Sequence, residues 1–343
     1  MVRWALIAAA AMLFFVSTAA AEPAGDDFYA GKTVRIIIGT TTAGDYGAYA
    51  QLMAHHIGRF VPGKPTVIVQ TMLGGAGLVA LNHLAKIAAQ DGTVLSLPHA
   101  NIVQDGLLNP RVQFDPAQFQ WIGRMTSVVQ VGVASSQSKA RSIEDARQRE
   151  LIAGASGVTN PTGLNPRILN ALAGTRFKIV TGYKGTSEAR IDWERGEVDV
   201  VTTSWDGLIE RYGDQLKAGL IHPLYVYGMT QPPELAAIPS ITKFGGNDAE
   251  RAFLQIYTIG AEIGRAFAFP PGVPEHRVAM WRSAFMKMLD DPDFRRAVAK
   301  SNIRLDPLDG PTLAARVAAV VTLPKDTVAQ AGAFYDRLLA EVR

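Results

Sequence analysis

The sequence predicts an α/β fold in two domains, on three observations. The first is a tandem pair of strand–loop–helix units. TVRIII over 33–38 leads through GTTTAG over 39–44 into a helix from Asp45, and TVIVQ over 66–70 leads through MLGGAG over 72–77 into a helix over 78–89. The second is a further alternating series that starts with residues 127–134. The third is length, since 343 residues suffice for two domains that each bury a core. Such alternation predicts largely parallel sheets with helices on both faces. Residues 22–127 with 250–343 are assigned to domain 1, and 128–249 to domain 2.

The chain begins with Arg3, an apolar run over 4–16 and the small residues Ala19, Ala20 and Ala21, the layout of a cleaved signal peptide over 1–21. The run is shorter than the roughly 20 residues a membrane span needs. A soluble periplasmic protein starting at Glu22 is therefore expected, and no later segment is apolar and long enough to span a bilayer. Zero cysteines exclude a disulfide scaffold, thiol chemistry and cysteine metal sites. A formal charge of only +3, on scattered basic residues, excludes a nucleic-acid partner.

Along the chain, the helix over 46–60 presents Tyr49, Leu52, Met53, His56, Ile57 and Phe60 as one buried stripe. A third strand is predicted over 93–97, and 110–121 reads as an irregular connection. The second series runs through strand 151–154, helix 164–173, strand 178–181, helix 187–195 and strand 198–202. Residues 253–269 read as apolar, strand-like sequence. PPGVP over 270–274 is a turn that opens a helix over 275–289, and helices over 312–323 and 327–342 close the chain.

In such sheets ligands sit beyond the carboxyl ends of the strands, where loops 39–44, 72–77, 155–163 and 182–186 all lie. Amide groups at a helix start favour an anion. Gly39 and Gly44 have the glycine spacing of a nucleotide-binding loop, but Asp45 and Tyr46 stand where Lys and Ser/Thr are required. Asp45 either caps its helix or accepts from a ligand. GASGV over 154–158 lacks the final glycine of a nucleophile elbow, and neither His222 nor His276 is placed as a base. Ser156, Thr159, Asn160 and Thr162 are instead a neutral hydrogen-bonding set. His55, His56 and His83 lack metal-ligand spacing, so neither metal nor cofactor is expected, and one of the adjacent pair should be packed with the other solvated. SQSK over 136–139 is a chance match. Glu188, Asp192 and Glu197 form a solvated face. Trp205 is either core or a cleft wall, and Arg265 either a carboxylate clamp or a surface ion pair.

Several stretches together resemble the solute-binding proteins of tripartite tricarboxylate transporters, the Bug or TctC family. They are YAGKTVRIII over 29–38, the 74–77 loop, AQDGTVL over 89–95, GYKGTSEA over 182–189 with GEVD over 196–199, and FPPGVP over 269–274. The resemblance implies a two-domain Venus flytrap of the periplasmic-binding-protein type II class. It also implies a monomer that delivers an organic acid to a membrane permease of one large and one small subunit. By motif position, Thr40, Thr41, Thr42, Gly44, Asp45 and Tyr46 form one lip, with Gly74, Gly75, Ala76 and Gly77 beside it. Ser156, Thr159, Asn160, Thr162, Lys184 and Gly185 form the other, with Trp205 and Arg265 on the hinge side. The first loop departs from the usual P-F-x-P-G-G, which leaves the acid open between carboxylate, aromatic, hydroxylated and amino-bearing types. Two other functions remain to be weighed: a periplasmic hydrolase using Ser156, and a ligand sensor for a membrane receptor.

Overall fold

Short β-branched runs ending in glycine or hydroxyl residues make the strands, and the amphipathic stretches between them make the helices. The computed structural model describes residues 28–340 apart from 43, 44, 110, 111, 113, 159, 184, 229, 230 and 302. The expected signal peptide lies outside them. The strands are β1 (Thr33–Ile38), β2 (Thr66–Thr71), β3 (Val94–Leu97), β4 (Gln120–Arg124), β5 (Gln130–Ala134) and β6 (Leu151–Ala155). They continue with β7 (Phe177–Thr181), β8 (Val200–Ser204), β9 (His222–Tyr227), β10 (Ala266–Phe269) and β11 (Leu308–Asp309).

Two sheets result, in the orders β11-β4-β10-β3-β1-β2 and β7-β6-β8-β5-β9. β1 is parallel to β2 and β3, and β6 is parallel to β7 and β8. The described chain passes from the first sheet to the second at 125–129 and returns between β9 and β10, with 264–265 leading from the helix over 248–263 into β10. The strand after each passage enters antiparallel to both neighbours: β5 between β8 and β9, β10 between β3 and β4.

The helices on the first sheet's units are α1 (Asp45–Ile57), α2 (Leu78–Lys86) and α3 (Ile102–Leu108). Those of the second are α4 (Ile143–Gln148), α5 (Pro161–Ala173), α6 (Thr186–Arg195) and α7 (Trp205–Lys217). α8 (Asp248–Ile263), α9 (Glu275–Asp290), α10 (Pro292–Lys300), α11 (Gly310–Val321) and α12 (Lys325–Ala340) complete the order. α8 packs on α3, α11 and α12, and the Tyr257 hydroxyl donates to Asn165 Oδ1 on α5 at 2.8 Å, so this helix touches both halves.

Three readings are corrected here. Residues 253–263 belong to helix α8, not to a strand: Asp248, Arg251, Gln255, Thr258 and Glu262 recur at helical spacing, and eleven of its sixteen residues are buried. The connection read as irregular over 110–121 runs into strand β4 at its end, after a single turn at Pro116–Gln118. The helix expected over 78–89 stops at Lys86. No helix among the described residues is long and apolar enough to cross a membrane.

Candidate functional site

Each parallel strand delivers its chain to the same edge of its sheet, so the starts of α1 and α2 and the 98–101 loop line one edge, and those of α5, α6 and α7 line the other. Glycine lets the first set come close. A Cβ on Gly39 would stand 2.6 Å from Gly77 Cα, and one on Gly77, whose φ is +97°, would meet the His99 ring at 2.7 Å. The loops after β1, β2 and β3 thus converge on one point.

Around that point lies a cavity of about 540 Å³, bordered by Tyr46, Gly75, Leu78, His99, Gln104 and Asp105 among others. The Tyr46 hydroxyl accepts from Ala100 N–H at 2.9 Å. His99 Nε2 is 3.5 Å from Asp105 Oδ2. Burial holds His99 down at about 4 and pushes Asp105 up to about 6.

A second cavity of about 540 Å³ sits on the other sheet. It is bordered by Gln130, Thr162, Thr186, Ser187, Arg190, Thr202, Thr203, Ser204 and Arg211, with Gly207, Glu210 and Tyr212. Thr162 belongs to α5's first turn, Thr186 and Ser187 open α6, and Ser204 caps α7 by accepting from Gly207 N–H at 3.3 Å. Three helix starts therefore bring several hydroxyls, the Arg190 and Arg211 guanidiniums and the Glu210 carboxylate to one place. The first-turn amides of α5 are already taken, Thr162 N–H by Asn160 Oδ1 and those of Gly163 and Leu164 by Asn160 O.

A third cavity of about 290 Å³ joins the halves, bordered by Asp45 and Tyr49 of α1, the crossing segment 126–129, Asp206 of α7, Arg265 and Arg304. It shares Ser204, Gly207 and Glu210 with the second. The crossing and the 264–265 segment form its floor: Met125 N–H donates to Arg265 O, and Arg265 N–H to Thr126 O, both at 2.9 Å. Arg304 Nη1 donates to Asp206 Oδ1 at 2.6 Å, an ion pair between a first-half segment and α7.

Of the residues singled out from sequence, Thr40 is half-buried and donates to Thr41 O at 3.3 Å, while Thr41 and Thr42 are exposed. Asp45 is the first residue of α1, and its side chain is 82% exposed, 3.5 Å from Arg265 Nη2. Arg265 lies over the Tyr46 ring at 4.1 Å, and its Nε is buried without a hydrogen bond. Gly74, Gly75 and Gly77 have φ of +130°, +55° and +97°, conformations that only glycine adopts readily, and Ala76 lies within the single turn they frame. Gly185 precedes α6 with extended backbone. Gly44, Thr159 and Lys184 lie outside the described residues.

Ser156, Asn160 and Thr162 form a closed network. Asn160 Oδ1 accepts from Thr162 N–H at 3.1 Å and from its hydroxyl at 2.6 Å, and Asn160 Nδ2 donates to Ser156 Oγ at 3.1 Å. Asn160 is thereby the cap of α5. The described partners of Ser156 include no histidine. Trp205 is not brought to the cavities: it is 6% exposed, packs in the core under the second sheet and donates its indole N–H to Glu234 Oε1 at 3.1 Å. Of the histidine pair, His56 is buried and His55 exposed, and no cluster among the described residues could hold a metal ion.

Sequence reasoning missed the 98–105 segment. The third strand was recognised, and the same strand–loop–helix logic applied after it would have found His99, Gln104 and Asp105. It missed Arg190 because this residue lies among the acids of a helix read as a solvated face.

No protein-family model and no curated protein sequence matches the chain. Solved structures do. A TctC solute-binding protein from Polaromonas without ligand aligns at TM-score 0.66 and 14% identity, over 91% of this chain and 99% of that one. The periplasmic binding protein BugD aligns at 0.55 and 18%, over 90% and 98%. MatC from Rhodopseudomonas palustris with bound malate aligns at 0.54 and 18%, over 90% and 99%. The fold is thus that of type II periplasmic binding proteins, with TctC and Bug proteins as structural neighbours, and these neighbours are binding proteins rather than enzymes.

Proposed function

We propose that this chain is a non-enzymatic periplasmic solute-binding protein that captures a small organic carboxylate between its two halves and delivers it to a tripartite tricarboxylate-type permease. The observation that carries this reading is the convergence of α5, α6 and α7 on a hydroxyl-lined cavity with Arg190. Amides at helix starts and a guanidinium together favour a carboxylate, and each charge-assisted bond contributes about 1.5–3 kcal/mol. Residues 22–127 with 250–343 form one jaw and 128–249 the other. The loops 40–46 and 74–77 close on 156–162 and 184–187, and the crossing at 125–129, bonded to the 264–265 segment of the first jaw, serves as the hinge. Closure is favoured because a guest held by both jaws adds contacts that the open form lacks.

Calorimetry and thermal shift on residues 22–343, against mono-, di- and tricarboxylates, aromatic acids and amino acids, test the reading. A ligand at about 100 times its dissociation constant is expected to add roughly 2.7 kcal/mol of stability. No binding by any acid overturns carboxylate capture. Turnover of a bound ester or amide that disappears in Ser156→Ala overturns the non-enzymatic assignment.

A further inference from the structure

We propose that the first-sheet cavity receives a protonated amine, so that the captured acid is a zwitterion with its ammonium on the first jaw and its carboxylate on the second. This rests on the carboxylate-capture reading above and names its substrate class.

The argument is the donor and acceptor inventory of that cavity. Asp105 is the charged group on its wall, with a side chain only 23% exposed. Among the described residues no Arg or Lys pairs with it. Its neighbours are the neutral Asn109 amide, which hydrogen-bonds it, and His99, whose Nε2 stands 3.5 Å away. Burial disfavours the charged form of His99 and of Asp105 alike, so His99 supplies no firm counter-charge to the carboxylate 3.5 Å away. Gln104, 6% exposed, also borders the cavity, and its Oε1 has no hydrogen-bond partner. His99 Nε2 has none either. Among the described residues the wall therefore offers a carboxylate and an amide oxygen, both acceptors, and no Arg or Lys.

A part-buried carboxylate without a counter-charge is costly, and an incoming ammonium relieves that cost while filling the open acceptors. A second carboxylate on the ligand would meet Asp105 as a like charge. A hydroxyl would satisfy an acceptor and leave the charge standing. The second-sheet cavity carries Arg190 and Arg211 beside Glu210 at three helix starts, an excess of cationic groups that suits the carboxylate.

Calorimetry with ω-amino acids of three to six carbons, each beside the hydroxy acid and the dicarboxylate of equal length, tests the assignment. At least one amino acid is expected to bind ten times tighter than both its counterparts. Asp105→Asn should bring that amino acid to within about threefold of the hydroxy acid, and Asp105→Glu should keep the preference. Dicarboxylates or hydroxy acids binding best, or a preference for amines that survives Asp105→Asn, would overturn the inference and leave carboxylate capture standing. Binding by no acid at all sinks both. Should Asp105→Asn fail to fold, the ranking of the three ligand classes on the wild-type chain still supports or overturns the ammonium site.

Discussion

The two walls of the cleft have the same topology and opposite character. On the second sheet, α5 and α7 start from caps, Asn160 and Ser204, whose side chains are used on their own helices. What is left facing the cavity is hydroxyls, Arg190, Arg211 and the Glu210 carboxylate, a wall that mainly donates. On the first sheet, the second loop is glycine and leaves space, and the third supplies His99, Gln104 and Asp105, a wall that accepts. The shared βα arrangement thus decides where a guest sits. A handful of side chains decides which end of it goes where.

The change expected to cost most lies where the proposed hinge segment 125–129 is bonded to 264–265. Gly264 has φ +50°, and a Cβ there would stand 2.1 Å from Thr126 O, a backbone atom fixed by its bond from Arg265 N–H. Gly264→Ala is expected to destabilise the chain by about 3 kcal/mol or more, because both backbone strain and a clash must be relieved. Urea unfolding measures it. A loss below about 1 kcal/mol would mean that the crossing segments slide freely past each other.

The next effect isolates the accepting wall through pH. Asp105 is raised to about 6 in the folded chain, so it binds more protons there than when unfolded, and its contribution to stability is lost as pH rises from about 4 to 6. His99 is lowered to about 4, so the unfolded chain binds more protons, and its contribution is lost as pH falls from about 6.5 to 4. The two slopes oppose and largely cancel. Removing Asp105 as Asn should expose the His99 slope, with stability rising by up to about 3 kcal/mol from pH 4 to 6.5. His99→Gln should expose the reverse slope. Parallel pH profiles for both variants would show that the pair does not titrate as its burial dictates.

The donating wall was the more legible in sequence. Ser156, Asn160 and Thr162 stand in a strand-to-helix turn whose composition marks a cap, and the structure places them in one. The first two strands and their glycine loops were equally plain, because the β-branched runs TVRIII and TVIV are each followed within a few residues by glycine. α8 was legible in the spacing of Asp248, Arg251, Gln255, Thr258 and Glu262, and it was missed because the apolar residues between them run on into the strand over 266–269. Trp205 could not be assigned to core or cleft from position alone, because a strand's end borders both. The accepting wall escaped although β3 was plain, because its residues open a seven-residue helix, too short for the helical pattern to stand out.

Arg190 tests the donating wall directly. Its Nε is 3.6 Å from Glu194 Oε1, and its side chain is largely buried beside the openings of α6 and α7. Arg190→Ala should weaken an acid that binds the wild type by about tenfold to a hundredfold while leaving the amine preference intact, since that preference resides on the other wall. Calorimetry on matched amino and hydroxy acids separates the two quantities. Loss of the preference together with the affinity would show that the ends are not read independently.

The smallest effect asks whether the network behind the donating wall binds or only shapes. Both polar atoms of the Asn160 amide are spent inside the loop, on Thr162 and Ser156, so its share in binding acts through the turn it holds. Asn160→Ala should remove the α5 cap at a cost of about 1 kcal/mol, with a small loss of affinity as the Thr162 and Ser156 hydroxyls reorient. Asn160→Asp keeps the cap and adds an anion beside the proposed carboxylate position. It should preserve stability and weaken acids more than Asn160→Ala does, because a like charge now faces the guest at a helix start. If Asp and Ala weaken acids equally, the carboxylate does not lie against α5, and the donating wall narrows to α6, α7 and Arg190.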